Sequence, residues 1–258
     1  MDHVEGVTLY HVNRVKKALR DGKFSFGTWV SESRQPSIMR RVAEAGYDHV
    51  YIDMEHTSYS FETVADFCEL ARAHNLIPIV RPSELTRACT LRLLEIGALG
   101  LMFHDVDDRA EVDQILEWTG KSKAAMRSDS SKGSPMDAIL IVMQIETLKG
   151  LENVDSIMDG GGFDLVEIGR GDLASEFGFA GQRQHPKVEA AIDKIVAACN
   201  RNKIAVGVTC QNAADVEDMY RRGVRALTYG TDYLFIRDGM RHGLETLKKA
   251  AAGAVRAA

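Results

Sequence analysis

Close-spaced cysteines are missing from this 258-residue chain, whose four, Cys68, Cys89, Cys199 and Cys210, stand far apart. Without a C-x-x-C pair there is no thiolate zinc cage and no disulfide frame, and the pattern reads as reduced thiols in a cytoplasmic protein. No apolar run approaches the roughly 20 residues that a membrane span needs. The start, Met1-Asp2-His3-Val4-Glu5, has no basic cluster and no apolar stretch behind it, so no signal peptide is expected. Positive charge is not in excess either. With 32 Lys+Arg against 37 Asp+Glu, the net charge of -5 argues against a broad grip on nucleic acid or anionic lipid. Proline is scarce, at 5 residues, and with 22 Gly the chain is neither fibrous nor low in complexity. What is present is 45% hydrophobic residues, enough to bury a substantial core in a single domain over 1–258.

Short apolar runs alternate with amphipathic stretches. The strand candidates are 24–30, 49–53, 77–80, 99–103, 139–145, 164–168, 204–208 and 225–228. Helical patterns lie between them, among them 61–74, 86–96, 148–158, 187–200 and 213–221. Such alternation predicts a parallel sheet with helical crossovers. Eight units over about 250 residues match an α/β fold of the (β/α)8, or TIM barrel, type. A doubly wound open sheet competes, but Val30-Ser31-Glu32-Ser33 lacks the glycines of its phosphate turn. A ninth apolar run, 123–126, is read as part of a loop.

A barrel of this type works at the C-terminal ends of its strands. Those ends are rich here: Asp53-Met54-Glu55-His56, Arg81-Pro82, His104-Asp105, Gln144-Ile145-Glu146 and Gly169-Arg170-Gly171-Asp172. Glu146 and Asp172 are the expected metal ligands, since two carboxylates on adjacent strand ends suit a hard divalent ion such as Mg²⁺ or Mn²⁺. Helix capping is their other reading. Co²⁺ or Zn²⁺ are further options, zinc through His56 or His104, although no two-His spacing marks a dedicated zinc site. His56 is the expected acid–base group, with Asp53 and Glu55 beside it. Arg81 offers a planar donor fork to a carboxylate or a developing oxyanion, against the alternative of a rim salt bridge. Gly169 and Gly171 would let backbone N–H groups approach an anion. Lys121, Lys123, Arg127 and Lys132 are read as a solvated loop, and Cys68 and Cys199 as core residues.

The run Tyr47-Asp48-His49-Val50-Tyr51-Ile52-Asp53-Met54-Glu55-His56 resembles the G-x-D-x-x-x-I-D-x-E-H segment of the HpcH/HpaI class II pyruvate aldolases. So do Val80-Arg81-Pro82, Gln144-Ile145-Glu146-Thr147 and Ile168-Gly169-Arg170-Gly171-Asp172-Leu173. The four motifs come in the family's order, and the similarity runs over about 19–247. The resemblance implies a metal-dependent (β/α)8 barrel that cleaves or forms 4-hydroxy-2-oxo acids from a 2-oxo acid and an aldehyde. It gives Glu146 and Asp172 to the metal and Arg81 to the keto oxygen. Gln144 would lie near the metal shell, and the backbone at Gly171 and Asp172 would hold the substrate carboxylate. Trp29 would stand at the site entrance. The expected catalytic set is His56, Arg81, Asp53 and Glu95. Glu95, in Leu93-Leu94-Glu95-Ile96-Gly97, takes the place of an acidic residue that pairs with the histidine of a neighbouring subunit. That pairing implies a homo-oligomer, commonly a hexamer built as a trimer of dimers.

Two departures fall on the acceptor side. The family's Pro-Pro-x-Gly-x-Arg-Gly-x-Gly loop is absent from the shortened stretch 119–135, and Phe103-His104-Asp105-Val106 replaces an apolar-Pro-x-Val pattern. A citrate-synthase-like condensation, or cleavage of an acyl-CoA ester, is therefore the alternative chemistry on the same barrel. A catalytically silent barrel is the third option, against which stand Glu146, Asp172, Arg81 and His56.

Overall fold

The computed structural model describes residues 13–120 and 138–257, with side chains through 252. The chain's first residues, the apolar run 123–126 and the basic points Lys121, Lys123, Arg127 and Lys132 lie outside the described residues.

Eight strands form a closed barrel in sequence order, every neighbouring pair parallel. They are β1 (Ser25–Val30), β2 (His49–Asp53), β3 (Ile77–Arg81), β4 (Gly100–Phe103), β5 (Leu140–Ile145), β6 (Leu165–Ile168), β7 (Ala205–Cys210) and β8 (Ala226–Thr231). Each strand candidate is found within three residues at either end, and eleven helices are present among the described residues. Strands β2 to β6 are buried along their whole length, because helices cover their outer face and side chains fill the inner one. One difference concerns 148–158, expected as one helix. It breaks into Leu148–Glu152 and Val154–Met158 at Asn153, whose amide donates to Asp107 O at 3.0 Å. A tertiary hydrogen bond overrides the apolar periodicity there.

Two apolar clusters divide the core. The larger lies between strands and outer helices. The smaller fills the barrel axis with Tyr51, Ile79, Met102, Leu140, Val142 and Leu165, and is closed below by Val15 and Leu19 of the helix Arg14–Arg20. That helix plugs the N-terminal mouth: Lys16 Nζ donates to Ile139 O (2.9 Å) and pairs with Asp164 (2.8 Å). With one end closed, the opposite rim is the open one. Side chains of Ser60, Thr86, Thr147 and Asn212 each cap the helix that leaves a strand end, which keeps those turns short. All four cysteines are free and buried. Among the described residues no helix is long and apolar enough to cross a membrane.

The rim is also stitched from the chain's far end. Asp232, buried where the final helix begins, accepts from the N–H groups of Ser31 (3.1 Å), Glu32 (3.2 Å) and Ser33 (2.6 Å). Asp232→Ala leaves three donors without their acceptor. It is expected to lower the unfolding free energy by about 2–3 kcal/mol in urea titrations, more than Asp232→Asn does.

Candidate active site

At the open rim the ends of β1, β3, β5, β6 and β7 converge on a cavity of about 160 Å³. Trp29, Arg81, Gln144, Gly171 and Asp172, all expected from the sequence, line it together with Glu167, Arg170, Arg183 and Thr209. Arg81 is buried and its fork is filled: Nε and Nη2 donate to the two oxygens of Asp53 (3.0 and 2.8 Å), and Nη1 pairs with Glu55 (2.9 Å). Its guanidinium also lies over the Trp29 ring, 4.8 Å from the centroid. Burial works against this charge, but the Asp53 hydrogen bonds and the Glu55 and Glu146 carboxylates outweigh it and hold Arg81 above its ordinary pKa. Asp53 also accepts from the N–H groups of Glu55 and His56. Both of its oxygens are engaged, and through them Asp53 holds Arg81 and the turn after β2.

Glu146 and the exposed Asp172 come side by side at the rim, close enough for the Asp172 charge to act on the Glu146 carboxyl. Glu146 is buried, takes one hydrogen bond from the Gln144 amide and a second from Asp105 N–H at 3.2 Å. It is not a helix cap, since Thr147 holds that position with its own hydroxyl. Position 169 is cut to fit it: a Cβ on Gly169 would lie 2.3 Å from Glu146 Oε2. Burial, then the Asp172 charge, push the Glu146 carboxyl up to about 9. Two neighbouring carboxyls, one of them held in its protonated form by burial, make an oxygen donor set that a divalent cation satisfies by displacing that proton. The helix Arg170–Glu176 starts beside them. Its first backbone bond is Leu173 N–H to Gly169 O, so the N–H groups of Gly171 and Asp172 are among its unpaired first-turn donors.

The two remaining expected residues stand apart. His56 is 63% exposed on its side chain and outside the cavity lining, with Nε2 3.7 Å from Glu55. Glu95 is exposed at the C-terminal end of the helix Arg87–Glu95, which runs from the end of β3 back to the start of β4. It is therefore at the opposite face of its own barrel from His56, and only a second subunit brings such a residue to the rim. Glu55 instead joins His56 to His104, whose Nδ1 is 3.5 Å from Glu55 and 3.0 Å from Asp105. One ligand atom each of Glu55, His104 and Asp105 lie within 4.8 Å of one another.

Three lining residues, Arg183, Glu167 and Thr209, escaped a search confined to strand ends, and a fourth, Arg170, was seen there but given no role. Arg183 stands over Gly171 from the turn after the helix Arg170–Glu176, with no carboxylate partner among the described residues. Arg170 is a tie, bidentate to Asp215 (2.8 and 2.7 Å) and bound to Thr209 O. Glu167 and Thr209 come from within β6 and β7. A charged residue inside a fully buried four-residue strand, Leu165-Val166-Glu167-Ile168, was the available signal.

A parallel barrel whose rim gathers carboxylates, a locked arginine and free backbone donors around a small cavity has the make-up of an enzyme active site. Residues 25–238 match the family model described as HpcH/HpaI aldolase/citrate lyase, and the chain belongs to that family. It is a carbon–carbon lyase by class. It is 29% identical to the 4-hydroxy-2-oxo-heptane-1,7-dioate aldolase of Salmonella typhimurium strain LT2 over 260 residues, which cover 93% of this chain and 98% of that protein. Among solved structures it is similar to the HpcH/HpaI aldolase of Desulfitobacterium hafniense DCB-2 (TM-score 0.82, 29% identity, 91% of this chain and 96% of the other). It is also similar to the citrate synthase SbnG (TM-score 0.84, 25% identity, 94% and 99%).

Burial pushes the Glu167 carboxyl up to about 8, against the lowering effects of the Tyr51 hydrogen bond, Arg170, the Thr209 hydrogen bond and Arg81. A carboxyl whose folded pKa is raised binds more protons folded than unfolded. Its stabilisation is thus present below the unfolded pKa and is lost as pH rises towards the folded one. Metal-free protein is expected to lose stability between pH 5 and 8. Glu167→Gln should flatten that slope, by up to about 1.4 kcal/mol per pH unit, as read by urea unfolding at a series of pH values.

Proposed function

We propose that this chain is a divalent-metal-dependent aldolase that reversibly cleaves a 4-hydroxy-2-oxo acid to pyruvate, or a related 2-oxo acid, and an aldehyde. The observation that carries this reading is the pairing of buried Glu146 with Asp172, which lines the same cavity as Arg81. The printed name of the Salmonella relative supports the substrate class.

Glu146 and Asp172 would hold the cation, Mg²⁺ or Mn²⁺ by the hardness of an all-oxygen set. When bound, it supplies Lewis-acid stabilisation of negative charge on an oxo-acid oxygen. Gln144 orients Glu146 through its amide. The N–H groups of Gly171 and Asp172 receive the donor carboxylate. Arg81, fixed by Asp53, Glu55 and the Trp29 face, meets the keto oxygen as charge develops there, with little reorganisation left to do. His56, backed by Glu55 in this chain and by Glu95 of a neighbouring copy, moves the proton at the acceptor-derived oxygen. No lysine is required as a Schiff base.

The test is solvent deuterium exchange into the pyruvate methyl group, followed by NMR with Mg²⁺ or Mn²⁺ and again with EDTA. Metal-dependent exchange is expected, and Glu146→Gln or Asp172→Asn should lower it at least about 10²-fold while far-UV circular dichroism stays unchanged. Full exchange in either variant would remove the proposed metal site. Condensation of an oxo acid with an acetyl thioester is the second reading, favoured by the likeness to SbnG and by His104-Asp105 at the rim. Acetyl-CoA-dependent product without pyruvate exchange would put it first.

A homo-oligomer belongs to the same proposal, as a hexamer of the trimer-of-dimers kind, located in the cytoplasm as four free buried cysteines favour. The final helix, Asp232–Ala257, carries Ile236, Met240, Leu244 and Leu247 on one stripe, with Met240 and Leu247 70% or more exposed. Phe26 and Tyr229 are exposed on the outer face of β1 and β8, beside a groove with Val216 and Leu227. A second copy would bury both surfaces. Light scattering after gel filtration is expected to give a multiple of 28.5 kDa, and Met240→Lys combined with Leu247→Lys should shift it towards the monomer.

A further inference from the structure

One carboxyl in the cavity is used neither by the donor anchors nor by the proton-moving groups. Glu167 projects from the middle of β6 into the barrel, 2% exposed, and forms the floor below Arg81, Gln144 and Asp172. The next strand makes room for it, since a Cβ on Gly207 would lie 2.3 Å from Glu167 Oε2. Its partners are Tyr51 Oη, which donates to Oε2 at 3.3 Å, and Thr209 Oγ1, which donates to Oε1 at 3.5 Å. Thr209 Oγ1 in turn accepts from Trp29 Nε1 at 3.1 Å.

Each Glu167 oxygen receives one hydrogen bond from this cluster, Oε2 from Tyr51 and Oε1 from Thr209, which leaves carboxyl lone pairs on the cavity side, where Glu167 is part of the lining. A hydroxyl in the cavity can donate to such a lone pair and, when the carboxyl carries the proton that burial favours, can accept from it as well. A methyl group can do neither. With the donor acid's carboxylate at Gly171 and Asp172 and its keto oxygen at Arg81, C3 is the atom left to face this floor.

We propose that the floor selects a 2-oxo acid donor bearing a hydroxyl on C3, with Glu167 as the specificity-determining residue that hydrogen-bonds that hydroxyl through the cluster of Tyr51, Thr209 and Trp29. This rests on the reading of the rim as a 2-oxo-acid site. A C3 carboxylate is disfavoured, because it brings a second acid against Glu167.

The experiment titrates Mg²⁺-loaded protein with pyruvate, 3-hydroxypyruvate and oxaloacetate, following the fluorescence of Trp29 in the cavity wall, and measures C3 proton exchange in D₂O in parallel. The 3-hydroxy acid is expected to bind at least about tenfold more tightly than pyruvate. Glu167→Leu should bring that ratio down to about one, and Glu167→Gln, whose amide both donates and accepts, should keep most of it. Equal or tighter binding of pyruvate, tightest binding of oxaloacetate, or an equal loss for all three acids in Glu167→Leu would each overturn the proposal. Pyruvate binding without preference sinks the floor alone, whereas failure of all three acids to bind also sinks the oxo-acid reading beneath it.

Discussion

Arg81 is the cation on which the rim depends. It joins β2 to β3 at the register pair Asp53 and Arg81, so its fork is anchored to the sheet rather than to a loop. A buried guanidinium without partners would be very costly; two parallel hydrogen bonds to Asp53, a pair with Glu55 and the Trp29 face make it tolerable. The same contacts fix the turn after β2, because Asp53 also holds the backbone N–H groups of Glu55 and His56. Arginine geometry and the placement of the proton-handling side chains are therefore one problem with one solution.

Around that cation the rim carries an excess of acid. Asp53, Glu55, Glu146, Asp172 and Glu167 crowd the same few ångströms as Arg81, while Arg170 is spent on Asp215. An uncompensated cluster of this kind either keeps protons or takes up a cation. The two buried acids answer in different company. Glu146 lies beside Asp172 at the rim, where a divalent ion can reach both. Glu167 sits deeper, among hydroxyls and an indole N–H, where a proton is the simpler solution. The cavity is thus layered, with anion- and metal-handling groups above and a hydrogen-bonding floor below.

Much of this was legible in the chain. Parallel strands buried on both faces must be short and almost wholly apolar, which is why eight runs such as Ile77–Arg81 could be placed by eye, and why polar residues just past them marked the rim. Arg81, Gln144, Glu146 and Asp172 stood out on that ground. The break at Asn153 did not, because nothing local distinguishes a helix with one residue pulled aside by a distant carbonyl. Asp53 was expected among the catalytic groups, and what the sequence did not show is that its two oxygens bind Arg81 and, through Oδ1, the backbone.

By itself the sequence determined the barrel and the rim where its polar residues gather, because periodicity and strand-end chemistry are local properties repeated around a closed ring, and four motifs in order carried the family resemblance. Only the tertiary structure decided what each polar side chain touches. Glu167 and Thr209 are separated by 42 residues and meet because β6 and β7 are neighbours, with Glu167 in register with Gly207. Glu95 and His56 are parted because a helix runs antiparallel to the strand before it, which carries its far end to the other face. Contacts across a barrel are set by register and closure, and those are fixed by all eight strands together.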